Sequence, residues 1–115
     1  MERFIQPCLL LLLYEKPSHG YELLERLNDY GFEYSLPDTG AVYRNLRNME
    51  DDGLVSSDWD VDQPGPARRL YSLTPRGVGA IHTWAAHARG RVEVLERFLD
   101  RYEQLFPGPG SKDSG

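Results

Sequence analysis

The chain has 115 residues, a formal net charge of −5 and one cysteine, Cys8. This length accommodates one small domain with an appendage, and it excludes a barrel, a full dinucleotide-binding fold and a multidomain enzyme. The acidic balance argues at first against nucleic acid as a partner, and one cysteine excludes both an internal disulfide and a multi-cysteine metal site.

The first predicted element is a helix over residues 7–16, because Pro7 suits a first helical position and Pro17 ends the pattern. Apolar residues from Cys8 to Leu13 surround this helix on most sides, which predicts that it is buried. The apolar run is too short for a signal-peptide core or a membrane span. We therefore expect a cytoplasmic protein without a membrane partner.

Two further helices follow, each with a capping residue before it and a glycine after it. They are predicted over residues 19–30, between Ser18 and Gly31, and over residues 39–52, between Asp38 and Gly53. Apolar residues recur three or four positions apart in both segments, so each helix has one face suited to burial. The remaining positions are mostly charged or polar.

The next segment predicts a β-hairpin. Leu54, Val55 and Trp59 indicate a first strand, residues 63–66 form a proline- and glycine-rich turn, and residues 68–73 alternate as a return strand. Three alternating aspartates, Asp58, Asp60 and Asp62, resemble the start of a calcium-binding loop. That motif fails because Gln63 and Arg69 stand where a glycine and a glutamate are required. We expect these aspartates on the outer face of the strand.

A long helix is predicted over residues 75–106, with Thr74 as its cap and Pro75 at its first position. Its apolar residues follow a heptad spacing, at Val78, Ile81, Ala85, Ala88, Val92, Leu95, Leu99, Tyr102 and Phe106. A bend or break at Gly90 is an alternative to a continuous helix. Residues 107–115 are rich in glycine, proline and serine and are expected to be disordered.

This helix predicts a homodimer. Thirty-two helical residues span about 48 Å, which exceeds the width of a small domain, so the C-terminal half overhangs or folds back at Gly90. An overhanging apolar strip would be exposed to water unless a partner covered it, and a two-fold related copy is the simplest partner. The expected interface consists of Val92, Leu95, Leu99, Tyr102 and Phe106, together with Leu9 of the first helix.

Three helices followed by a hairpin are the order of elements in a winged helix-turn-helix, in which the third helix enters the major groove and the hairpin touches the DNA backbone or the minor groove. The expected fold class is therefore mainly α with a small β-hairpin. We expect a DNA-binding domain over residues 1–74, one or more dimerisation helices over 75–106, and a tail over 107–115.

Three motifs carry a family resemblance: HGYELLERL from His19, DTGAVYRNLRNMEDDGLV from Asp38, and GPARRLYSLTPRG from Gly65. In this order and spacing they resemble the PadR family of bacterial transcriptional regulators. The opening PCLLLLLYEKPSHGYEL and the segment GPARRLYSLTP further resemble its poly-β-hydroxybutyrate-responsive repressors. The resemblance implies a homodimer that represses by binding a palindromic operator in double-stranded DNA. It also implies that a hydrophobic or aromatic small molecule releases the dimer from the DNA.

The resemblance and the chemistry of the residues together give a set of candidate DNA contacts. Tyr21, Tyr43, Arg68 and Tyr71 match family positions, whereas Arg44 stands where the family often has proline. Free amides at a helix N-terminus bind phosphate, and arginine reads guanine through two hydrogen bonds. The candidates are His19, Tyr21, Thr39, Gly40, Ala41, Tyr43, Arg44, Arg47, Arg68 and Arg69.

Each candidate has a structural alternative. His19 can be an ordinary polar residue after a cap, and Tyr21 lies on the apolar stripe of its helix and can be a core residue. The two helix arginines can be solvated or paired with Glu50 and Asp51. Arg68 and Arg69 point to opposite faces of a strand, so only one of them is expected to face DNA.

An effector is expected between the wing domain and the long helices. Trp59, Trp84 and Phe98 are candidate pocket aromatics, and core packing is the alternative explanation for them. A second hypothesis for the whole protein is a winged-helix interaction module that binds a protein or a storage granule. The sequence contains no persuasive catalytic pair, and we expect no enzymatic activity, cofactor or metal.

The distribution of charge along the chain bears on whether an acidic protein can bind DNA. Residues 1–74 carry seven basic and thirteen acidic residues, so the acidity belongs to the predicted DNA-binding domain itself. It must then lie on faces turned away from DNA, and non-specific affinity should be low. The charge predicts a reader that depends on a few placed arginines and on the geometry of a dimer.

Overall fold

The computed structural model of the chain describes residues 4–29, 39–62 and 64–108. The elements in chain order are α1 (Ile5–Glu15), β1 (Ser18–His19), α2 (Gly20–Asp29), α3 (Thr39–Asp51), β2 (Val55–Asp60), β3 (Arg68–Leu73) and α4 (Pro75–Leu105). This is the predicted winged helix-turn-helix with a long C-terminal helix. Within these ranges no helix is long and apolar enough to cross a membrane.

The sheet has three antiparallel strands in the order β1-β3-β2. The sequence predicts only β2 and β3, because the two residues of β1 are too few to show a period. Opposite residues of paired strands share a face, so Ser57, Trp59, Arg69 and Tyr71 lie on one side of the wing. The other side carries the pairs Asp60–Arg68 and His19–Leu70.

The core forms where α1, α2 and α3 pack against one another and against the sheet. Its largest fully buried side chains are Leu9, Leu10, Leu23, Leu27, Val42, Leu46 and Met49. The predicted burial of α1 is confirmed, since most of its side chains are inaccessible. Burial also raises the pKa of the Cys8 thiol to about 11, which keeps the sulfur protonated and inert at neutral pH.

The end of α3 and the start of α4 both have the termination and cap that the sequence predicts. Gly53 has φ +78°, and the N–H groups of Gly53 and Leu54 donate to the carbonyls of Glu50 and Met49 at 3.0 and 2.9 Å. This left-handed termination is the one a glycine after a helix predicts. The predicted cap of α4 is also confirmed, because the Gly77 N–H donates to the Thr74 hydroxyl at 3.0 Å.

Several predicted boundaries need correction. α2 begins at Gly20, and Ser18 does not cap it: the Ser18 hydroxyl donates to the carbonyl of Lys16, while the N–H of His19 donates to the Glu22 carboxylate. α4 continues through Gly90 without a break. The predicted features at Gly31, Asp38 and Gln63 and in the tail after Gly108 lie outside the described residues.

The chain divides into two compact units, Met1–His82 and Thr83–Gly115. The first contains the winged helix-turn-helix and the first two turns of α4. The second contains the rest of α4. The functional boundary predicted after residue 74 stays a prediction.

Candidate nucleic-acid interface

One face of α3 is exposed along its whole length. This face consists of Gly40, the pair Tyr43 and Arg44 three and four residues later, and the pair Arg47 and Asn48 one further turn along, and all five are accessible. The opposite face is buried through Ala41, Val42, Leu46 and Met49. The helix therefore presents a continuous polar and aromatic surface, whose side chains are suited to hydrogen bonding at base edges and phosphates.

In the first turn of α3, the groups available to contact DNA belong more to the backbone than to the side chains. Thr39 and Gly40 are exposed, whereas the Ala41 side chain is 4% exposed and its carbonyl accepts a hydrogen bond from Asn45. Ala41 can thus take part in phosphate binding only through its N–H group. Asn45 is held in place by a bond from Gln6 at 3.2 Å.

Tyr43 lies directly over the start of α2. A Cβ atom at residue 20 would fall 2.7 Å from Cζ and 2.8 Å from the hydroxyl oxygen of Tyr43, so only glycine permits this approach. Tyr21 is 58% exposed. The alternative that Tyr21 is a core residue is therefore wrong, and α2 and α3 bring two tyrosines to the surface.

Arg47 is exposed one turn beyond Tyr43. The alternative that it pairs with Glu50 or Asp51 is wrong, because Arg47 forms no ion pair within the described parts of the chain. The Tyr71 phenol lies near it: burial chiefly raises the pKa of Tyr71, Glu50 adds to that effect, and Arg69 and Arg47 oppose it. Arg47 and the wing residue Arg69 thus both lie close enough to Tyr71 to influence its pKa.

A chain of contacts links α3 to the wing. Ser57 donates to Glu50 Oε2 at 2.8 Å, and Arg69 Nη1 donates to Ser57 Oγ at 2.8 Å. The Arg69 guanidinium stacks over the ring of Trp59, with Cζ 4.7 Å from the ring centroid. Arg69 is therefore on the α3 side of the wing with a fixed orientation, while Arg68 is exposed on the opposite side.

His19 is the candidate that the structure removes from this surface. Its side chain is nearly buried, and its two ring nitrogens each lie 2.9 Å from a carboxylate oxygen, of Glu22 and of Asp60. Asp60 is correspondingly shielded, in contrast to the prediction that it is an outer, solvated aspartate. Asp58 and Asp62 are exposed as expected.

Sequence reasoning missed Arg26, which joins three elements. Its guanidinium donates to Ser18 Oγ at 2.8 Å, to the Leu12 carbonyl at 3.0 Å and to Glu15 at 2.7 Å. The spacing along the chain gave no signal for this cluster, because Arg26 falls among the polar positions of an amphipathic helix. The bond between Ser57 and Glu50 was missed as well, because it joins a strand residue to a helix residue that no local pattern relates.

The predicted interface residues divide into two groups. Leu9 is 0% exposed within the protomer, so its side chain cannot touch a partner, and the accessible apolar residues of α1 are Leu11 and Tyr14. On α4, by contrast, every predicted interface residue from Val92 to Phe106 is exposed by about half or more. Tyr102 and Phe106 stack on each other with ring centroids 5.3 Å apart.

The candidate effector aromatics do not share one environment. Trp59 is an exposed wing residue, Trp84 is half-buried and Phe98 is exposed. An open groove of about 560 Å³ lies elsewhere, between the end of α1, β3 and the start of α4. It is lined by Leu13, Tyr14, Pro17, Leu73 and Val78, among others, and by none of the three aromatics.

Comparison with known proteins identifies this arrangement. The model of the PadR-like family of transcriptional regulators matches residues 9–83, which include the helix-turn-helix and the wing. The chain belongs to the PadR-like family. Because this is a family of regulators, the prediction that the chain is not an enzyme is confirmed. No curated protein sequence matches the chain significantly.

Solved structures share the fold. A conserved protein of unknown function, described as a potential transcriptional factor, is 32% identical, with a TM-score of 0.80 over 91% of this chain and 92% of its own. A PadR family regulator from Clostridium difficile is 25% identical, with a TM-score of 0.72 over 84% of this chain and 98% of its own.

A DNA complex is also among the matches. Bacillus subtilis PadR, solved with operator DNA, is 18% identical, with a TM-score of 0.64 over 71% of this chain and 47% of its own. At this identity the likeness shows the fold alone.

Proposed function

We propose that the chain is a dimeric, sequence-specific DNA-binding repressor whose α3 reads the major groove of a palindromic operator. The observation that carries the proposal is the exposed α3 face, on which Arg47 is accessible and without a carboxylate partner in the described part of the chain. The DNA-bound relative supports it, because that protein binds its operator with the same fold. Because the proposed partner of this chain is chromosomal DNA, we expect the chain in the cytoplasm.

In this proposal the wing holds the DNA backbone through Arg69. The stack on Trp59 and the hydrogen bond to Ser57 fix the guanidinium on the side of the wing that faces α3. A preorganised arginine loses less conformational entropy on binding than a flexible one. Arg68 has the same charge, lies next to it and points to the opposite face, so it provides the matched control.

The dimer is formed by α4. The exposed apolar residues of its C-terminal half are too extensive for a solvated face and repeat with heptad spacing. A two-fold dimer presents two copies of α3 to a palindrome. Release by a hydrophobic effector belongs to the same proposal. Trp59, Trp84 and Phe98 stay predicted effector residues, and the poly-β-hydroxybutyrate-related ligand suggested by the resemblance stays a prediction.

A fluorescence anisotropy titration tests the function. The probe is a labelled DNA fragment from upstream of the protein's own gene, compared with a scrambled fragment of equal length at low and physiological salt. We expect preference for the upstream fragment and a steep loss of affinity with salt, because several arginines displace counterions. Absence of binding at low salt would favour the protein-interaction or granule-binding module instead.

Arg47→Ala tests the reading residue. We expect a loss of about 1–3 kcal/mol in binding free energy and a relaxed preference at one base position, since a base-edge contact is removed. Arg97→Ala, which removes the same charge from the polar side of α4, is the control. It should leave the binding free energy and the base preference unchanged. Equal losses in the two variants would contradict a specific role for Arg47.

Arg69→Ala tests the wing in the same titration. We expect weaker binding to all sequences alike and a smaller salt slope, because a phosphate contact carries no sequence information. Arg68→Ala should have the smaller effect. The reverse order would assign the backbone contact to the other face of the wing.

A further inference from the structure

The imidazole of His19 occupies the junction between the helix-turn-helix and the wing. Nδ1 lies 2.9 Å from Glu22 Oε1, and Nε2 lies 2.9 Å from Asp60 Oδ2. Glu22 is in the first turn of α2, and Asp60 is the last residue of β2, at the end of the hairpin nearest its tip. The ring thus reaches from β1 to a residue of β2 that is 41 positions away in the chain.

The number of protons on the ring decides whether both contacts are hydrogen bonds. A neutral imidazole has one N–H donor and one lone pair, whereas an ionised carboxylate can only accept. Both 2.9 Å contacts are therefore satisfied together only when both nitrogens carry a proton. In the neutral ring, one nitrogen lone pair would face a carboxylate oxygen, and that contact would be repulsive.

The Glu22 carboxylate, on the α2 side of the ring, is able to accept a hydrogen bond. The pKa of Glu22 is lowered, first by the hydrogen bond from the His19 backbone N–H at 2.8 Å, and also by the bond to the His19 ring and by Lys16. Glu22 therefore stays ionised throughout the range in which imidazoles gain and lose a proton, about pH 5 to 8.

Other charges around the ring come from each neighbouring element. Asp58 and Asp60 of β2 and Arg68 of β3 lie on the same face of the sheet as His19. Lys16 precedes β1, and Arg26 holds the adjacent Ser18. The start of α2 disfavours a cation there, and the two carboxylates in direct contact with the ring oppose that effect.

We propose that His19 is a positioning residue that fixes the wing to α2 when it is protonated and releases the end of the hairpin when it is neutral. The link from Asp60 to Glu22 adds to the short β1–β3 pairing, which consists of Ser18–Tyr71 and His19–Leu70. The bonds are present at low pH and one is lost as the pH rises through the titration of the ring. The consequence for operator binding rests on the proposed function.

Hydrogen exchange on the full chain tests this inference without DNA. We compare amide protection factors at Trp59, Asp60 and Leu70 at about pH 5.5 and about pH 8.5, on either side of imidazole titration, after correction for the intrinsic exchange rate. We expect protection to fall about tenfold at the higher pH, the equivalent of one charge-assisted hydrogen bond. In parallel, the ¹⁵N shifts of both His19 ring nitrogens should report an imidazolium at the lower pH.

Two carboxylate variants make the test specific. Asp60→Asn should largely remove the pH dependence, because an amide can donate to or accept from a neutral ring. Asp58→Asn removes the same charge from the same strand and face without touching the ring, and it should retain the full dependence. Equal pH dependence in wild type and Asp60→Asn, or a neutral His19 ring at the lower pH, would overturn the proposal.

A DNA titration at both pH values separates this inference from the proposed function. We expect wild type to bind the upstream fragment more weakly at the higher pH at constant ionic strength, and Asp60→Asn to lose that difference. If no DNA binds although protection still titrates, the proposed function fails and the role of His19 remains supported. If DNA binds equally at both pH values while protection changes, the wing does not control affinity and that part of the inference is wrong.

Discussion

At the scale of the residue, close approach rather than conformational preference explains the glycine at the start of α4. A Cβ atom on Gly77 would overlap the carbonyl oxygen of Leu54 and lie 3.2 Å from its carbonyl carbon. The position cannot shift easily, because the Gly77 N–H is bonded to Thr74. Gly79, two positions further along the same helix, would meet no atom within 4 Å.

The two glycines therefore predict opposite effects of one substitution. Gly77→Ala should lower the free energy of unfolding by about 1–3 kcal/mol through overpacking against backbone. Gly79→Ala should raise it by up to about 1 kcal/mol, since alanine favours a helix and no atom is displaced. Urea denaturation followed by circular dichroism measures both, and a stabilised Gly77→Ala variant would contradict the assigned contact.

At the scale of the element, Arg26 of α2 joins its helix to two neighbouring elements. It bonds the end of α1, Ser18 of β1 and the exposed Glu15, so one side chain secures three elements of the helix-turn-helix. The amphipathic pattern of α2 correctly predicts its buried face. The pattern does not predict which of its polar residues makes tertiary contacts, because partners distant in sequence decide that.

Replacement of this arginine should be costly. Arg26→Gln should reduce the free energy of unfolding by about 2–3 kcal/mol, because hydrogen bonds to a charged donor are lost and their acceptors remain partly buried. Glu15→Gln removes only the exposed ion pair and should cost less than about 1 kcal/mol. Chemical denaturation of both variants checks the difference, and equal losses would show that the ion pair with Glu15 dominates.

At the scale of the whole molecule, α4 carries the residues of the proposed dimer interface. It is a single helix of 31 residues, and its second half exposes Val92, Leu95, Leu99 and Tyr102. The heptad spacing predicts these residues correctly as one apolar strip. Leu9 was expected beside them, but the other helices of the same protomer cover it.

The chain truncated after Arg91 should therefore be a folded monomer, because it lacks the apolar strip. Sedimentation equilibrium measures the mass, circular dichroism confirms folding, and truncation after Phe106 is the control. In the full chain, Leu99→Glu should also shift the equilibrium towards monomer, since it places a charge in the strip. Persistence of a tight dimer in both variants would contradict the role assigned to α4.

The sequence by itself determined the fold class, the wing, the long helix and the family, because these depend on periodicity, caps and motifs read along the chain. The exposed α3 face, with Tyr43 and Arg47, followed from the same periodicity. The order of elements is enough to indicate the candidate interface for nucleic acid.

The tertiary structure alone decided which polar residues face solvent and which bond to one another. It placed His19 between two carboxylates, turned Arg69 towards α3 and Arg68 away from it, and buried Leu9. These outcomes depend on residues far apart in sequence that meet only when the sheet and helices pack. Local patterns specify the face on which a residue lies, and long-range packing specifies its partner.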